Sequence, residues 1–141
     1  MLTDRQIALV QTTFRQVAPM ADEAAAMFYG RLLEIDPSTR PLFRETDMAE
    51  QRRKLMAALG MVVASLRDMD RITPTLAALG ARHAGYGVTP AQYATVGAAL
   101  LWTLRQGLGE AFTREVEHAW AAAYGAVAAA MQAGAAMAEA A

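Results

Sequence analysis

Apolar residues recur along almost the whole chain at steps of three and four, the spacing that lines one face of an α-helix, and no stretch sustains the alternation of a half-buried strand. Ala24, Phe28, Leu32 and Ile35 form one such stripe over Ala21–Ile35, and Gln51, Leu55, Leu59, Val62 and Leu66 form another over residues 48–66. Further stripes run through Tyr93, Val96, Gly97, Leu100, Leu101 and Leu104, and through Val116, Trp120, Tyr124, Val127 and Met131. Capping and breaking residues set the boundaries. Thr3 with Gln6 makes a capping box for a first helix that runs to Val17, and Pro19 breaks it. Asp36-Pro37 opens a short third helix that Pro41-Leu42-Phe43 closes, and residues 44–47 read as a loop. Residues 68–71 form a polar connection, after which Thr73-Pro74 caps a helix with Leu76, Leu79, Gly80 and His83 on one face. Gly85-Tyr86-Gly87 ends that helix, Thr89-Pro90 opens another that Gly109 stops after Leu108, and Thr113 caps the last. The fold class is all-α. Six or seven helices of unequal length do not suit a simple four-helix bundle; they suit pairs packed at oblique angles around a pocket.

With 141 residues the chain makes one domain with a sizeable core. It has no cysteine, which excludes disulfides, iron–sulfur clusters and thiolate ligation. A formal net charge of −1 and 19% charged residues give no footprint for nucleic acid, and Arg52-Arg53-Lys54 is too short a basic run to make one. The N-terminus lacks the basic-then-apolar layout of a secretory leader, so a cytoplasmic location is expected. Residues 119–138 carry no charge but are mostly alanine, which predicts a buried helix rather than a membrane span. His118, between Glu117 and Ala119, reads as a surface residue, and two histidines cannot build a zinc cluster. No serine triad, phosphate loop or dinucleotide fingerprint is present.

His83 is the residue with the most chemistry to offer. A lone histidine on an apolar helix face is either a hydrogen-bonded core residue or a ligand, and its neighbours in sequence bear on the choice. Phe28-Tyr29, Pro41-Leu42-Phe43, Gln51 with Leu55, Gly80-Ala81-Arg82-His83, and Tyr93 ten residues past the histidine occur in that order. The series resembles the globin domain of flavohaemoglobins and their single-domain relatives, the bacterial haemoglobins. That resemblance implies a globin fold over residues 1–141 without a reductase domain. It also implies a haem b held non-covalently, with His83 as the axial ligand of its iron. Phe43 would stack on the porphyrin, Leu55 and Leu59 would cover its distal face, and Val96 and Leu100 would line the wall; each is equally an ordinary core residue. Arg82 is the candidate for a haem propionate, with Arg52 and Arg53, and each is also an ordinary exposed arginine.

The resemblance further places Phe28, Tyr29, Gln51 and Leu55 on the ligand side of the pocket. A diatomic ligand that takes on negative charge is stabilised by a phenolic O–H in an apolar setting, where water does not compete. Gln51 would bond to that ligand, bond to Tyr29, or turn outward. On the opposite side, Tyr93 matches a family tyrosine that works with a glutamate on the last helix. Here Ala135 stands at the glutamate position, and Glu139 is one turn further on. The implied function is reversible binding, transport or delivery of oxygen, with nitric oxide and carbon monoxide as other ligands. Two alternatives stand beside it: a nitric oxide dioxygenase fed by a separate reductase, and a haem-free helical interaction protein, against which His83 argues.

Overall fold

A computed structural model describes residues 2–140, and among them there are six α-helices, four short 3-10 segments and no strand. The Thr3 hydroxyl accepts the Gln6 N–H and the Gln6 carboxamide accepts the Thr3 N–H, both at 3.0 Å, which starts α1 (Asp4–Val17). Pro19 sits in a 3-10 turn, Ala18–Met20, that leads into α2 (Ala21–Ile35). A 3-10 helix, Pro37–Phe43, follows, and the loop after it ends at Asp47, whose carboxylate caps α3 (Met48–Ala64) by accepting from Ala49 and Glu50. Then come α4 (Met69–Gly85), α5 (Pro90–Leu108) and α6 (Arg114–Ala140). At Gly109, φ is +56° and α5 stops as its sequence predicts.

Two expected boundaries are corrected. The third long helix ends at Ala64 rather than Leu66, which lies in a 3-10 turn, Leu66–Asp68. Helix α4 starts at Met69 rather than at Thr73-Pro74, so residues 69–71 are helical and Pro74 lies inside the helix. The extra turn buries Ile72 against Leu76, and that gain outweighs the hydrogen bond Pro74 cannot make. The carbonyl that loses its partner belongs to exposed Asp70, and Thr73 turns its hydroxyl back onto the Met69 carbonyl at 2.8 Å instead of capping.

The main core gathers Val10, Phe28, Leu32, Leu104 and Trp120, and is pinned across the molecule by Trp120 Nε1 donating to the Thr13 hydroxyl at 2.8 Å. A smaller cluster of Ile72, Leu76 and Met131, with Leu79, Tyr93 and Val127 against it, joins α4 to α6. Helix α6 is long and apolar enough to cross a membrane by length and composition alone. In the fold its inward face, Val116, Ala119, Trp120, Ala123, Ala128, Met131 and Gly134, is buried in the protein interior.

The α4–α6 pairing is the most extensive in the molecule. Gly80 lies on the backbone of Met131 and Gly134 on the backbone of Ala77, so the two helices run antiparallel and touch main chain to main chain. A Cβ at either glycine would overlap a carbonyl oxygen of the facing helix. Gly80→Ala or Gly134→Ala should therefore destabilise the protein by about 3 kcal/mol, since the obstacle is backbone and cannot rotate away. Gly30→Ala, with nothing within 4 Å of the added methyl, should instead stabilise it by about 0.5–1 kcal/mol. Thermal unfolding of the three variants checks the contrast; equal shifts would show that the crossing is not close.

Candidate functional site

Helix α4 delivers His83 half-buried, near its end, with a defined tautomer. Nδ1 lies 2.8 Å from the Leu79 carbonyl, which only accepts, so Nδ1 carries the proton and Nε2 keeps a free lone pair. The backbone behind it closes tightly: Val88 N–H donates to the His83 carbonyl and Gly87 N–H to that of Ala84, both at 3.0 Å. That turn needs the φ of +98° that Gly87 supplies. Tyr93 on α5 packs against the cluster that joins α4 to α6, and its buried hydroxyl has no partner among the described residues. Burial pushes its phenol pKa up. Tyr124 donates its own hydroxyl to the Tyr93 carbonyl at 2.6 Å; burial foremost, and then the neighbouring Tyr93, hold it protonated. Ala135 is half-buried and Glu139 exposed.

Tyr29 and Gln51 meet. Gln51 Nε2 donates to the Tyr29 hydroxyl oxygen at 3.1 Å, joining α2 to α3. Tyr29 is buried, with the Phe28 and Phe43 rings edge-on to it at 5.0 and 5.4 Å between centroids. Burial raises the Tyr29 pKa, and the bond from Gln51 offsets this only in part, so the phenol stays neutral and keeps its proton to donate. Phe28, Leu55, Leu59 and Leu100 share an apolar cavity of about 20 Å³ at the heart of the helices, and half-buried Val96 packs on the same core.

The cations are disposed differently. Arg52 pairs with Asp22 at 2.8 Å, and Arg53 pairs with Glu50. Arg82 is exposed, and among the described residues no carboxylate pairs with it. His118 is exposed on α6, and no group of three metal-ligating side chains occurs among the described residues.

One supporting network escaped the sequence. The Asp36 carboxylate accepts from the Ser38 N–H and hydroxyl and from Thr95, and buried Gln92 donates to Ser38, so the Phe43 segment is strapped to α5. These bonds, that of the Ser38 hydroxyl first, hold the Asp36 pKa below its usual value. Asp36-Pro37-Ser38 signals a cap, but nothing local to it points to Thr95.

The donor set suits a haem: an imidazole nitrogen left open for iron, aromatic and aliphatic walls, and a neutral phenol held ready to donate. A profile of the family described as Globin matches residues 26–131. The chain is 34% identical over 127 residues to a flavohemoprotein of Bordetella parapertussis, an alignment covering 89% of this chain and 32% of that protein. It is 28% identical over 130 residues to a flavohemoprotein of Bacillus subtilis, with 91% and 33% covered. It is 31% identical over 127 residues to one of Rhizobium meliloti, with 89% and 32% covered. The chain thus spans about a third of the length of these relatives.

The two tyrosines between α5 and α6 should respond oppositely to loss of their hydroxyls. Tyr93→Phe removes a buried hydroxyl with no partner and should leave stability unchanged or raise it by up to about 1 kcal/mol. Tyr124→Phe leaves the Tyr93 carbonyl without its donor and should cost about 1 kcal/mol. Denaturant unfolding of both variants measures the difference; a destabilised Tyr93→Phe would reveal a partner for that hydroxyl.

Proposed function

The chain belongs to the globin family, a family of haem-binding proteins, and we propose that it holds haem b non-covalently on His83 and binds oxygen reversibly. The observation that carries this reading is the hydrogen-bonding state of two side chains. His83 has its Nδ1 proton committed and Nε2 open, while Tyr29 has its oxygen committed and its proton open. Bound haem would supply the ferrous iron that takes up a diatomic gas. Tyr29 would donate to the negative charge such a ligand acquires, and Gln51, by donating to the same phenol oxygen, polarises that O–H and strengthens it as a donor. Phe28, Phe43, Leu55 and Leu59 keep water from competing. Val96 and Leu100 complete the wall, and Arg82, exposed and without a carboxylate partner among the described residues, would neutralise a propionate.

His83 donates to a backbone carbonyl rather than a carboxylate, with alanine at position 135. A neutral second-shell partner makes the imidazole a weaker electron donor than a carboxylate would. This favours holding a ligand over cleaving an O–O bond, and supports carriage of oxygen over the alternative, nitric oxide turnover driven by a reductase. Nitric oxide and carbon monoxide fit the same donor.

His83→Ala should abolish the Soret band of the haem-reconstituted protein, while His118→Ala should leave it unchanged. A native oxygenated spectrum in the His83 variant would refute the ligand assignment. Tyr29→Phe should speed oxygen release in stopped-flow by roughly 10- to 100-fold, the equivalent of one charge-assisted hydrogen bond of about 1.5–3 kcal/mol. Gln51→Leu should act in the same direction by a smaller factor. An unaltered rate in Tyr29→Phe would place that phenol away from the ligand.

A further inference from the structure

Among the described residues, two side-chain hydrogen bonds join α2 to α3. Gln51 Nε2 donates to the Tyr29 hydroxyl at 3.1 Å, and Arg52 Nε donates to the Asp22 carboxylate at 2.8 Å. Gln51 and Arg52 are neighbours on α3, but Asp22 and Tyr29 stand two turns apart on α2, a rise of about 10 Å. The Arg52 arm therefore runs along the seam between the helices, away from Tyr29. Its side chain is 26% exposed although the carboxylate it reaches belongs to a side chain 71% exposed, so the stem lies against the protein and the pair itself meets water. Asp22 is one turn before Ala25, and Arg52 is one turn before Leu55 and Met56. With Ala24 and Phe28, those three residues line the apolar cavity of about 20 Å³, which has room for one molecule the size of water. Thr103 and Trp120 also line it, but each donates its proton elsewhere, to the Ala99 carbonyl and to the Thr13 hydroxyl. The void thus suits an apolar molecule better than water. Phe28 links it to the phenol, since the same ring meets Tyr29 at 5.0 Å.

We propose that the seam between α2 and α3 is the route by which small apolar gases enter, and that the Arg52–Asp22 pair is its gate. This rests on the haem-binding reading above, which makes Tyr29 the destination. Parting the pair hands both charges to water, which costs little for a pair already in contact with it. The flexible side chains of Arg52 and Met56 then swing away from the small walls of Ala24 and Ala25. Helix α3 has one fully buried residue, Val63, and yields more readily than a helix clamped by backbone contact. A diatomic gas crosses such an opening, whereas an ion would leave its hydration shell for a void with no polar partner. A gate acts on passage in both directions. Loosening it therefore speeds entry and escape by the same factor and leaves the equilibrium affinity unchanged, whereas a residue that holds the bound gas changes the affinity.

The test uses the ferrous, haem-loaded protein and carbon monoxide, with rebinding followed after flash photolysis and release followed by ligand replacement. Asp22→Asn should raise both rates by roughly two- to five-fold, the range open to an ion pair in contact with water, with their ratio unaltered. Raising the salt from about 0.01 M to about 1 M should speed both rates in the wild type and leave those of the variant where they are. Asp4→Asn is the matched control, because it too removes a first-turn carboxylate paired with an arginine, Arg67, and it should alter neither rate. Unchanged rates in Asp22→Asn, a change in release alone, or an equal rise in Asp4→Asn would each overturn the gate and leave the haem site standing. A wild-type protein that takes up no haem, seen by the absence of a Soret band before carbon monoxide is added, would overturn both.

Discussion

The backbone contact between α4 and α6 is the constraint on which the rest of the site depends. His83 is one turn beyond Gly80 on α4, and Gly80 lies on the main chain of Met131. With no side chain between the helices, their separation is set by van der Waals contact of peptide groups, which is stiffer than contact between rotatable side chains. The proposed role of His83 as a haem ligand would need this stiffness, because small displacements of a coordinating nitrogen matter. The antiparallel direction of the pair also brings Met131 against Gly80, in the half of α4 that carries the histidine. The cluster of Met131 with Ile72 and Leu76 rewards the extra turn at the start of α4, so the helix is anchored at both ends of its buried stripe.

Across the pocket the logic is different: position comes from aromatic packing and polarity from one amide. Phe28 and Phe43 fix the Tyr29 ring from two sides, and the Asp36 strap fixes the segment that carries Phe43. Gln51 reaches Tyr29 from a helix that is only half-buried along its length, so α3 is the more loosely held wall. A pocket with one rigid side and one looser side admits small ligands without unfolding.

Much of this was legible in the sequence because helices advertise themselves by spacing. The capping boxes at Thr3 and Thr89, the stop at Gly109 and the loop at residues 44–47 all lie where their residue types place them. Met69 was not legible as a helix start, because Thr73-Pro74 is a strong local signal and only tertiary burial of Ile72 overrides it. Motif order singles out Tyr29, Gln51 and His83, yet whether Gln51 bonds to Tyr29 is one of three outcomes that sequence leaves open. Gly134 lies in an alanine-rich tract; its use as a contact point depends on which helix crosses there, information no local window holds. The unpartnered hydroxyl of Tyr93 is likewise a property of what surrounds it.

The Gln51–Tyr29 pair has a consequence for how the pocket responds to acidity. A carboxamide neither gains nor loses a proton in water, and the Tyr29 phenol is pushed above its ordinary value of 10.0. The phenol proposed to face the ligand therefore has no ionisation between mildly acidic and mildly alkaline conditions. A distal histidine in the same place would switch charge near neutrality and carry the affinity with it. On the proposed reading, this arrangement would decouple gas binding from proton concentration on the side of the pocket where Tyr29 stands.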